Sequence, residues 1–168
     1  VQLLVRWAHA TNTPLIPRGS GSGMAGGAIG DGVIVDLSRM RGMAKVDVEN
    51  RTISAGPGVT WQEVENAARR AGLRFPPDPS SGAFCTIGGM VSTNASGAHS
   101  LKYGPIRPWV IALDCVFDDG SRATVRRNAP VPENVPALQR FASVARGLTA
   151  ADAISPSLHA GVRKDSSG

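Results

Sequence analysis

The chain has 168 residues, of which 42% are hydrophobic, so its length and composition fit one globular domain with one core and argue against wholesale disorder. Its formal net charge is +5, but the basic residues are dispersed and aromatic residues make up only 5%, which argues against a nucleic-acid-binding surface. No stretch reaches the roughly 18 apolar residues of a membrane helix and no secretory signal is visible, so we expect a cytoplasmic location, with peripheral membrane association left open.

The first third of the chain predicts one helix, two strands and a hairpin. Apolar residues at helical spacing predict a helix over residues 2–12. Short apolar runs predict buried strands over 14–17, "PLIP", and over 32–37, "GVIVDL". Alternation of apolar and polar residues in "MAKVDVENRTISAG" predicts a hairpin that turns near Glu49–Arg51.

The middle of the chain predicts a capped helix followed by loops. Thr60 and Glu63 have the spacing of a capping box, and Gly72 is a typical residue just beyond a helix end. Residues 75–82, "FPPDPSSG", predict a loop because prolines interrupt both helices and strands. Residues 86–97 predict one or two helical turns, weakened by two glycines.

The last third predicts a second hairpin and two helices. A strand over 109–117, a turn at 118–120 and a strand through about Val125 are expected. Amphipathic patterns predict helices over about 133–146 and 149–159. The order of elements indicates an α+β or a mixed α/β fold, without the alternation of a doubly wound sheet.

The two cysteines carry no sign of a metal or redox site. Cys85 and Cys115 are 30 positions apart, which fits no zinc or dithiol motif. We expect two buried, unpaired thiols in a reducing cytosol and no metal site.

The stretch "PRGSGSGMAGG", residues 17–27, has the composition of a phosphate-binding loop. Glycine lets successive backbone amides point into one concavity, where they bind anionic oxygens. No Gly-Lys-Ser/Thr follows, which excludes a Walker loop, and a strand rather than a helix follows, which argues against a Rossmann loop. A flexible turn without a ligand stays the alternative at this point.

Two further stretches favour a ligand. "PPDPSSG" and "TIGGMVSTNASGAHSLKYG" are also rich in small polar residues, and three such loops are more than folding requires. Together they predict a narrow polar groove for a long ligand with a pyrophosphate and planar rings, of which a dinucleotide is the natural candidate.

These stretches, in this order, resemble the FAD-binding domain of the FAD-linked oxidases, the vanillyl-alcohol-oxidase or PCMH-type flavin fold. The resemblance runs through "PLIPRGSGSGMAGGAIGDGVIVDLSRM", "GPGVTWQEVENAARRAGLRFPPDPSSGAFCTIGGMVSTNASGAHSLKYGPI" and "ALDCVFDDGSRATV". Within the family, the chain is similar to the branch that contains the FAD-linked glycolate oxidases and the D-lactate and D-2-hydroxyglutarate dehydrogenases. It looks most like the long members that carry an added iron–sulfur domain.

The resemblance implies an α+β fold in which two subdomains hold FAD, and a chain truncated at both ends. The first subdomain is expected over residues 1–57 and the second over 58–168, with a helical insertion at about 131–163. The family's later "GSEGTLG"-like loop and its substrate-binding cap domain do not occur in this chain, so we expect the chain alone to be inactive.

The resemblance also implies which residues bind the cofactor. The first loop matches the family's pyrophosphate loop, and the second and third match segments beside the flavin. Some relatives attach the flavin to a histidine in the first loop, but this chain has none between Arg18 and Gly32, which implies non-covalent FAD. The implied cofactor-binding residues are Pro17, Arg18, Gly19, Ser20, Gly21, Ser22, Gly23, Pro79, Ser80, Ser81, Thr86, Gly88, Gly89, Thr93, Asn94, Ser96, Gly97, His99, Tyr103 and Gly104.

The implied function is oxidation of a D-2-hydroxy acid by hydride transfer to FAD. The electrons would pass to a quinone, a cytochrome or an iron–sulfur domain, and the catalytic base is expected in the cap rather than in this chain. His99 near the flavin is expected to make a structural hydrogen bond rather than to act in catalysis. The alternatives are another oxidoreductase on the same fold, such as a sugar-nucleotide reductase or an aldonolactone oxidase, and a non-enzymatic basic binding module.

Overall fold

Two pairs of strands, one parallel and one antiparallel, organise the chain. The computed structural model describes residues 1–150, apart from the side chains of residues 146 and 148–150. Its contacts group residues 14–109 into one compact unit, and residues 1–13 with the described residues from 110 to 150 into another. The expected subdomain boundary after residue 57 falls inside the unit of residues 14–109 and stays a prediction.

The parallel pair opens the unit of residues 14–109. Strand β1 (Leu15–Arg18) pairs with strand β2 (Val33–Asp36), as the two apolar runs predicted. The prediction that both strands are buried is wrong, since every residue of the pair is at least partly accessible and Ile34 is 40% exposed. Because no other strand of residues 1–150 pairs with these two, the sheet is too narrow to cover its own faces.

The predicted hairpin turns where expected, but it does not form two continuous strands. Met43 bridges Ala55 and Asp47 bridges Thr52, both in antiparallel orientation. Arg51 has a φ of 53°, which is the left-handed conformation of a tight turn. The alternation therefore predicted the pairing direction correctly.

Helix α1 (Gln2–Thr11) belongs to the other unit, and helix α2 (Trp61–Arg70) follows the hairpin. The capping box of α2 is present in full: the Thr60 hydroxyl accepts from the Glu63 amide, and the Glu63 carboxylate accepts from the Thr60 amide at 2.8 Å. Gly72 follows the helix with a φ of 71°, as predicted for its end.

The buried face of α2 contains a carboxylate. Glu65 is only 2% exposed, and its carboxylate accepts from the Phe75 amide at 2.8 Å and from Arg69 Nε at 2.6 Å. A buried charge requires such partners, because desolvation without them costs on the order of several kcal/mol. Glu65 thereby fixes the start of the proline-rich loop against the helix.

Three short helical segments complete this unit. Helix α3 (Ile87–Thr93) confirms the prediction of one or two turns, whereas helix α4 (Ser100–Tyr103) was not predicted. A 3₁₀ turn occupies Arg107–Trp109, where the sequence pattern placed the start of a strand. That start is wrong because the Trp109 amide donates to the Ile106 carbonyl within the turn and its indole N–H donates to the Tyr103 carbonyl.

The second unit contains α1, a hairpin and a long helix. Strands β3 (Ala112–Val116) and β4 (Arg122–Arg126) pair antiparallel, which confirms the predicted hairpin. The Gln2 side-chain amide donates to the Gly120 carbonyl at 3.0 Å and so holds α1 against the hairpin turn.

Helix α5 (Pro136–Ala150) corrects the prediction of two helices. The helix continues through Gly147, where a break was expected. One glycine inside a helix costs only about 1 kcal/mol relative to alanine, which is too little to end it. The remainder of the predicted helix over 149–159 lies outside the described residues. No helix found in residues 1–150 combines the length and the apolar character needed to cross a bilayer.

The Glu63 carboxylate makes the stability of this fold depend on pH. Hydrogen bonds from Thr60, followed by the Arg41 guanidinium at 2.7 Å, hold the pKa of Glu63 below its ordinary value. A lowered pKa contributes stability above the ordinary carboxyl pKa of about 4.3 and loses it as the pH falls through the folded-state value. We expect Glu63→Gln to lower the free energy of unfolding by up to about 1 kcal/mol near neutral pH, since the group is partly exposed.

The difference between wild type and Glu63→Gln is then expected to shrink to nothing as the solution is acidified below the folded-state pKa. Urea unfolding of the chain at a series of pH values measures it. Glu49→Gln makes the same chemical change at an exposed hairpin position and serves as the control. A difference that is constant across the series would contradict the role of the Glu63 charge.

Candidate functional site

An open pocket of about 380 Å³ lies at the carboxyl ends of β1 and β2. The carboxyl edge of parallel strands is where open α/β sheets commonly bind ligands, because the loops that leave the strands diverge there. Half of the lining comes from the end of β1 and the residues that follow it. The lining residues are Arg18, Gly19, Ser20, Gly21, Ala28, Ile29, Asp36 and Ser38.

Opposite charges meet at this edge. Arg18 and Asp36 are register partners at the last positions of β1 and β2, and Arg18 Nη2 lies 3.4 Å from Asp36 Oδ2. Hydrogen bonds from Ser38, with a smaller effect from Arg18, hold the pKa of Asp36 below its ordinary value. The carboxylate is therefore ionised at neutral pH and offsets the charge of Arg18.

The backbone beyond β1 offers a row of free donors. Within the described part of the chain, the amides from Gly19 to Gly23 donate no hydrogen bond, and Gly21 has a φ of 70°. The hydroxyls of Ser20 and Ser22 lie 3.2 Å apart on the same loop. Successive amides of this kind, solvent-accessible and unpaired, can bind the oxygens of an anion.

The first loop is in contact with the third at Gly19. A methyl group added to Gly19 would collide with Thr86 Oγ1. Thr86 is 3% exposed, and its hydroxyl accepts from the Gly89 amide at 3.3 Å as the N-cap of α3. Glycine is therefore required at position 19 for a close approach, and two of the predicted cofactor loops meet there.

The N-terminus of α3 is occupied by the protein itself. The Ile87 amide donates to the Val59 carbonyl and the Gly88 amide to the Pro57 carbonyl, at 2.8 and 3.0 Å. Because Thr86 takes the Gly89 amide, no donor of the first turn is left for an anion. The capacity to bind a phosphate oxygen therefore lies in the first loop rather than at this helix.

The second loop meets the third at Asp78. His99 Nδ1 is hydrogen-bonded to the Asp78 carboxylate, and the His99 amide donates to Asp78 Oδ1 at 3.3 Å. Burial acts to raise the pKa of Asp78, but the hydrogen bonds from His99 hold it below its ordinary value. The expected structural hydrogen bond of His99 is thus present.

The remaining part of the second loop is a compact turn. The Pro79 carbonyl accepts from the Gly82 amide and the Ser81 carbonyl accepts from the Cys85 amide, both at 2.8 Å. Ser80 is exposed between them. Cys85 is a buried, unpaired thiol beside this turn, as predicted, and burial raises its pKa, which makes it a poor nucleophile at neutral pH. The prediction that Cys115 is also buried is wrong, because it lies on β3 of a two-stranded hairpin and is partly accessible.

Several predicted residues have their side chains engaged within the protein. Thr93 Oγ1 donates to the Gly89 carbonyl at 3.0 Å, and Asn94 Oδ1 accepts from the Arg107 amide at 3.2 Å. Tyr103 ends α4, and the cations of Arg74 and Lys102 each lie 5.1 Å from the centre of its ring. Ser96 is exposed and Gly104, with a φ of 69°, follows α4.

The structure thus connects the three loops in pairs, at Gly19 with Thr86 and at Asp78 with His99. Their assignment to FAD, together with that of Pro17, stays a prediction. Sequence reasoning did not select Asp36, Ser38 or Asp78, which the structure places in the site. Asp36 could have been found because it follows the apolar run "VIV" at the carboxyl end of a predicted strand. For Asp78 only its place among prolines was visible.

Comparison with known proteins identifies the family. The sequence model of the family described as FAD binding domain matches residues 1–126, which is three quarters of the chain. Among curated relatives, the D-lactate dehydrogenase of Archaeoglobus fulgidus is 38% identical over 122 residues, which are 71% of this chain and 27% of that protein. The glycolate oxidase protein GlcD of Bacillus subtilis is 38% identical over 109 residues, 64% of this chain and 23% of the relative.

A third relative covers a larger share of the chain. The D-2-hydroxyglutarate dehydrogenase of Haemophilus influenzae is 36% identical over 145 residues, 81% of this chain and 14% of that protein. The chain therefore spans about a quarter or less of the length of these relatives.

Solved structures agree on the fold. An alkyldihydroxyacetonephosphate synthase matches with a TM-score of 0.63 and 30% identity, over 76% of this chain and 24% of that one. The 6-hydroxy-D-nicotine oxidase of Arthrobacter nicotinovorans matches with a TM-score of 0.66 and 23% identity, over 75% and 27% of the two chains, and so supports the fold alone. The chain belongs to the FAD binding domain family, with the mixed α and β architecture of the PCMH-type oxidases.

Proposed function

We propose that this chain is the FAD-binding part of a flavin-dependent oxidoreductase that oxidises a D-2-hydroxy acid. One observation carries the structural side of the proposal: the unpaired amides from Gly19 to Gly23 border a pocket at the carboxyl edge of two parallel strands. Bound FAD would supply the two-electron oxidising chemistry, as organic cofactors do, and the protein would supply position and electrostatics.

The residues of the first loop fit a pyrophosphate. Backbone amides bind phosphate oxygens without a full positive charge, and the loop offers several in succession. Arg18 adds a cation whose charge Asp36 partly offsets, so that its guanidinium is held at the pocket rim. A diphosphate would therefore be bound mainly by backbone donors and the hydroxyls of Ser20 and Ser22.

The segments that meet at Asp78 and Thr86 are the proposed contacts of the rest of the cofactor. Gly88 lies so close to Pro57 that an added methyl would come within 2.7 Å of its ring. Such close backbone packing holds α3 in one position against Pro57. This favours a binding surface that is formed before the cofactor binds. No histidine lies in the first loop, which supports non-covalent attachment.

The relatives support the substrate class. The proteins similar to this chain are named for D-lactate, D-2-hydroxyglutarate and glycolate, which are all 2-hydroxy acids. Because the chain spans about a quarter of these proteins, the base that takes the hydroxyl proton is proposed to lie in the part of the protein outside this chain. The role of the present residues is then to hold the cofactor.

The electron acceptor belongs to the same proposal. The alignment with the Haemophilus protein extends over 145 residues and takes up only 14% of that long relative, which supports a long enzyme type with an iron–sulfur domain. In a shorter enzyme without an iron–sulfur domain, a quinone or a cytochrome would accept the electrons. The second candidate is a different oxidoreductase on the same fold, such as a sugar-nucleotide reductase or an aldonolactone oxidase.

Addition of FAD to the purified protein tests cofactor binding directly. We expect the protein to retain FAD after gel filtration and to show the visible absorption of a bound flavin. Denaturation should release the flavin into the supernatant because it is not covalently attached. A protein that retains no flavin when joined to the remaining domains of its enzyme would overturn the proposal.

Turnover by the complete enzyme decides the substrate class. Without an electron acceptor, we expect D-lactate, D-2-hydroxyglutarate or glycolate to reduce and so bleach the flavin. With an artificial electron acceptor, which reoxidises the flavin, we expect the same compound to be consumed continuously. The L-enantiomers of lactate and 2-hydroxyglutarate should react far more slowly. Sugar nucleotides and sugar lactones are the comparison substrates. Turnover of one of these, without reaction of any 2-hydroxy acid, would favour the second candidate.

Gly19→Ala tests the first loop. The added methyl group collides with Thr86 Oγ1, so the loop and the N-cap of α3 must separate. We expect the affinity for FAD to fall by about tenfold or more, as for the loss of one to two hydrogen bonds. Titration followed by flavin fluorescence measures the affinity, and the melting temperature reports any loss of stability.

Gly42→Ala is the matched control for this substitution. Gly42 lies outside the site, and a methyl group there meets no atom within 4 Å. We expect its FAD affinity to equal that of the wild type. If Gly19→Ala binds FAD as tightly as Gly42→Ala, the first loop does not bind the pyrophosphate.

A further inference from the structure

Asp78 makes the hydrogen bonds between the second and third loops. Its carboxylate takes two donors from one residue, the Nδ1 ring atom and the backbone amide of His99. The Asp78 side chain is 19% exposed, whereas that of His99 is 59% exposed. The acceptor is therefore sheltered inside the loop, and the donor reaches it from the accessible side.

Main-chain packing brings the two loops together, but no main-chain hydrogen bond holds them. A methyl group on Gly97 would collide with the Asp78 carbonyl, so the two backbones are in contact. Among the described residues, no backbone–backbone hydrogen bond joins residues 75–82 to residues 96–104. The loops would therefore separate easily if the carboxylate lost its donors.

The Asp78 carboxylate determines which nitrogen of the His99 imidazole carries the hydrogen. The ionised Asp78 carboxylate can only accept, so Nδ1 of His99 must donate. The Tyr103 ring, 6.5 Å from the imidazole, lies beside it, with the cations of Arg74 and Lys102 over that ring. Among these neighbours only Asp78 is an anion, and it is the one to which the imidazole is hydrogen-bonded.

We propose that Asp78 and His99 form a clasp that positions the second loop against the third and preforms the surface on which FAD rests. His99 acts as a positioning residue through its Nδ1–H donor, and not as a group that exchanges protons with a substrate. The clasp itself is a property of this chain. Only its effect on FAD depends on the proposed function.

Variants of His99 with a similar shape distinguish a requirement for the Nδ1–H donor from a requirement for the volume of the side chain. In His99→Asn the amide nitrogen takes nearly the position of Nδ1, whereas in His99→Gln it lies where Nε2 was. His99→Ala removes both. Asp78→Asn keeps the shape of the acceptor and removes its charge. All four changes are at accessible or partly accessible positions, and circular dichroism is used to check that each variant is folded.

Hydrogen–deuterium exchange of the 168-residue chain without FAD is the first measurement. We expect residues 76–84 and 96–104 to exchange about five- to tenfold faster in His99→Ala, His99→Gln and Asp78→Asn. His99→Asn is expected within about twofold of the wild type, as is the control His9→Ala on α1. In the double variant of Asp78→Asn and His99→Ala, exchange should be no faster than in either single variant.

The affinity for FAD is the second measurement. We expect His99→Ala, His99→Gln and Asp78→Asn to bind FAD about fivefold or more weakly than the wild type. His99→Asn is expected to keep the affinity of the wild type, because it keeps the donor. Two outcomes would overturn the clasp. One is an exchange rate in His99→Ala that equals the wild-type rate. The other is a reversed order, in which His99→Gln exchanges like the wild type and His99→Asn exchanges like His99→Ala. If the wild type binds no FAD even when joined to the remaining domains of its enzyme, the proposed function fails, and the exchange data alone still decide whether the clasp exists.

Discussion

The buried hydroxyl of Thr86 is the contact on which the rest of the site depends. It caps α3 by accepting from the Gly89 amide, and it lies against Gly19 at the start of the first loop. The backbone of Thr86 also bridges Thr60 at the start of α2. One residue thus fixes two helix starts and the entry to the glycine loop, so a shift of any of these elements is transmitted to the others.

The glycines of this site are therefore as much a packing requirement as a source of freedom. Gly19 and Gly97 are in extended or ordinary conformations and are needed because another residue occupies the space of their side chain. Where residues pack this closely, the loop backbones have few alternative positions. A surface that is fixed before a ligand arrives loses less entropy on binding it, which favours recognition of a long cofactor by many weak contacts.

The features of this fold that could be predicted from the sequence are those that have a local sequence pattern. The capping box at Thr60 and the second hairpin were predicted correctly because their signals lie within a few residues of each other. The exposure of Ile34 was missed because burial depends on neighbouring elements and not on the strand itself. The pairing of Asp78 with His99 joins residues 21 positions apart and has no local signal. The motifs identified the loops of the site, whereas only the folded chain shows which residues bring the loops together.

Free backbone donors are distributed unequally between helix α3 and the first loop, so the two elements have different roles. The first-turn amides of α3 are used by Val59, Pro57 and Thr86, so this helix contributes shape and not anion affinity. The first loop keeps its amides free, and its packing against Thr86 restrains its conformation. Arg18 is paired with Asp36, so the local net charge is small and binding there relies on directed hydrogen bonds. Directed donors favour a ligand of one geometry over anions in general, as a domain that must select a diphosphate cofactor requires.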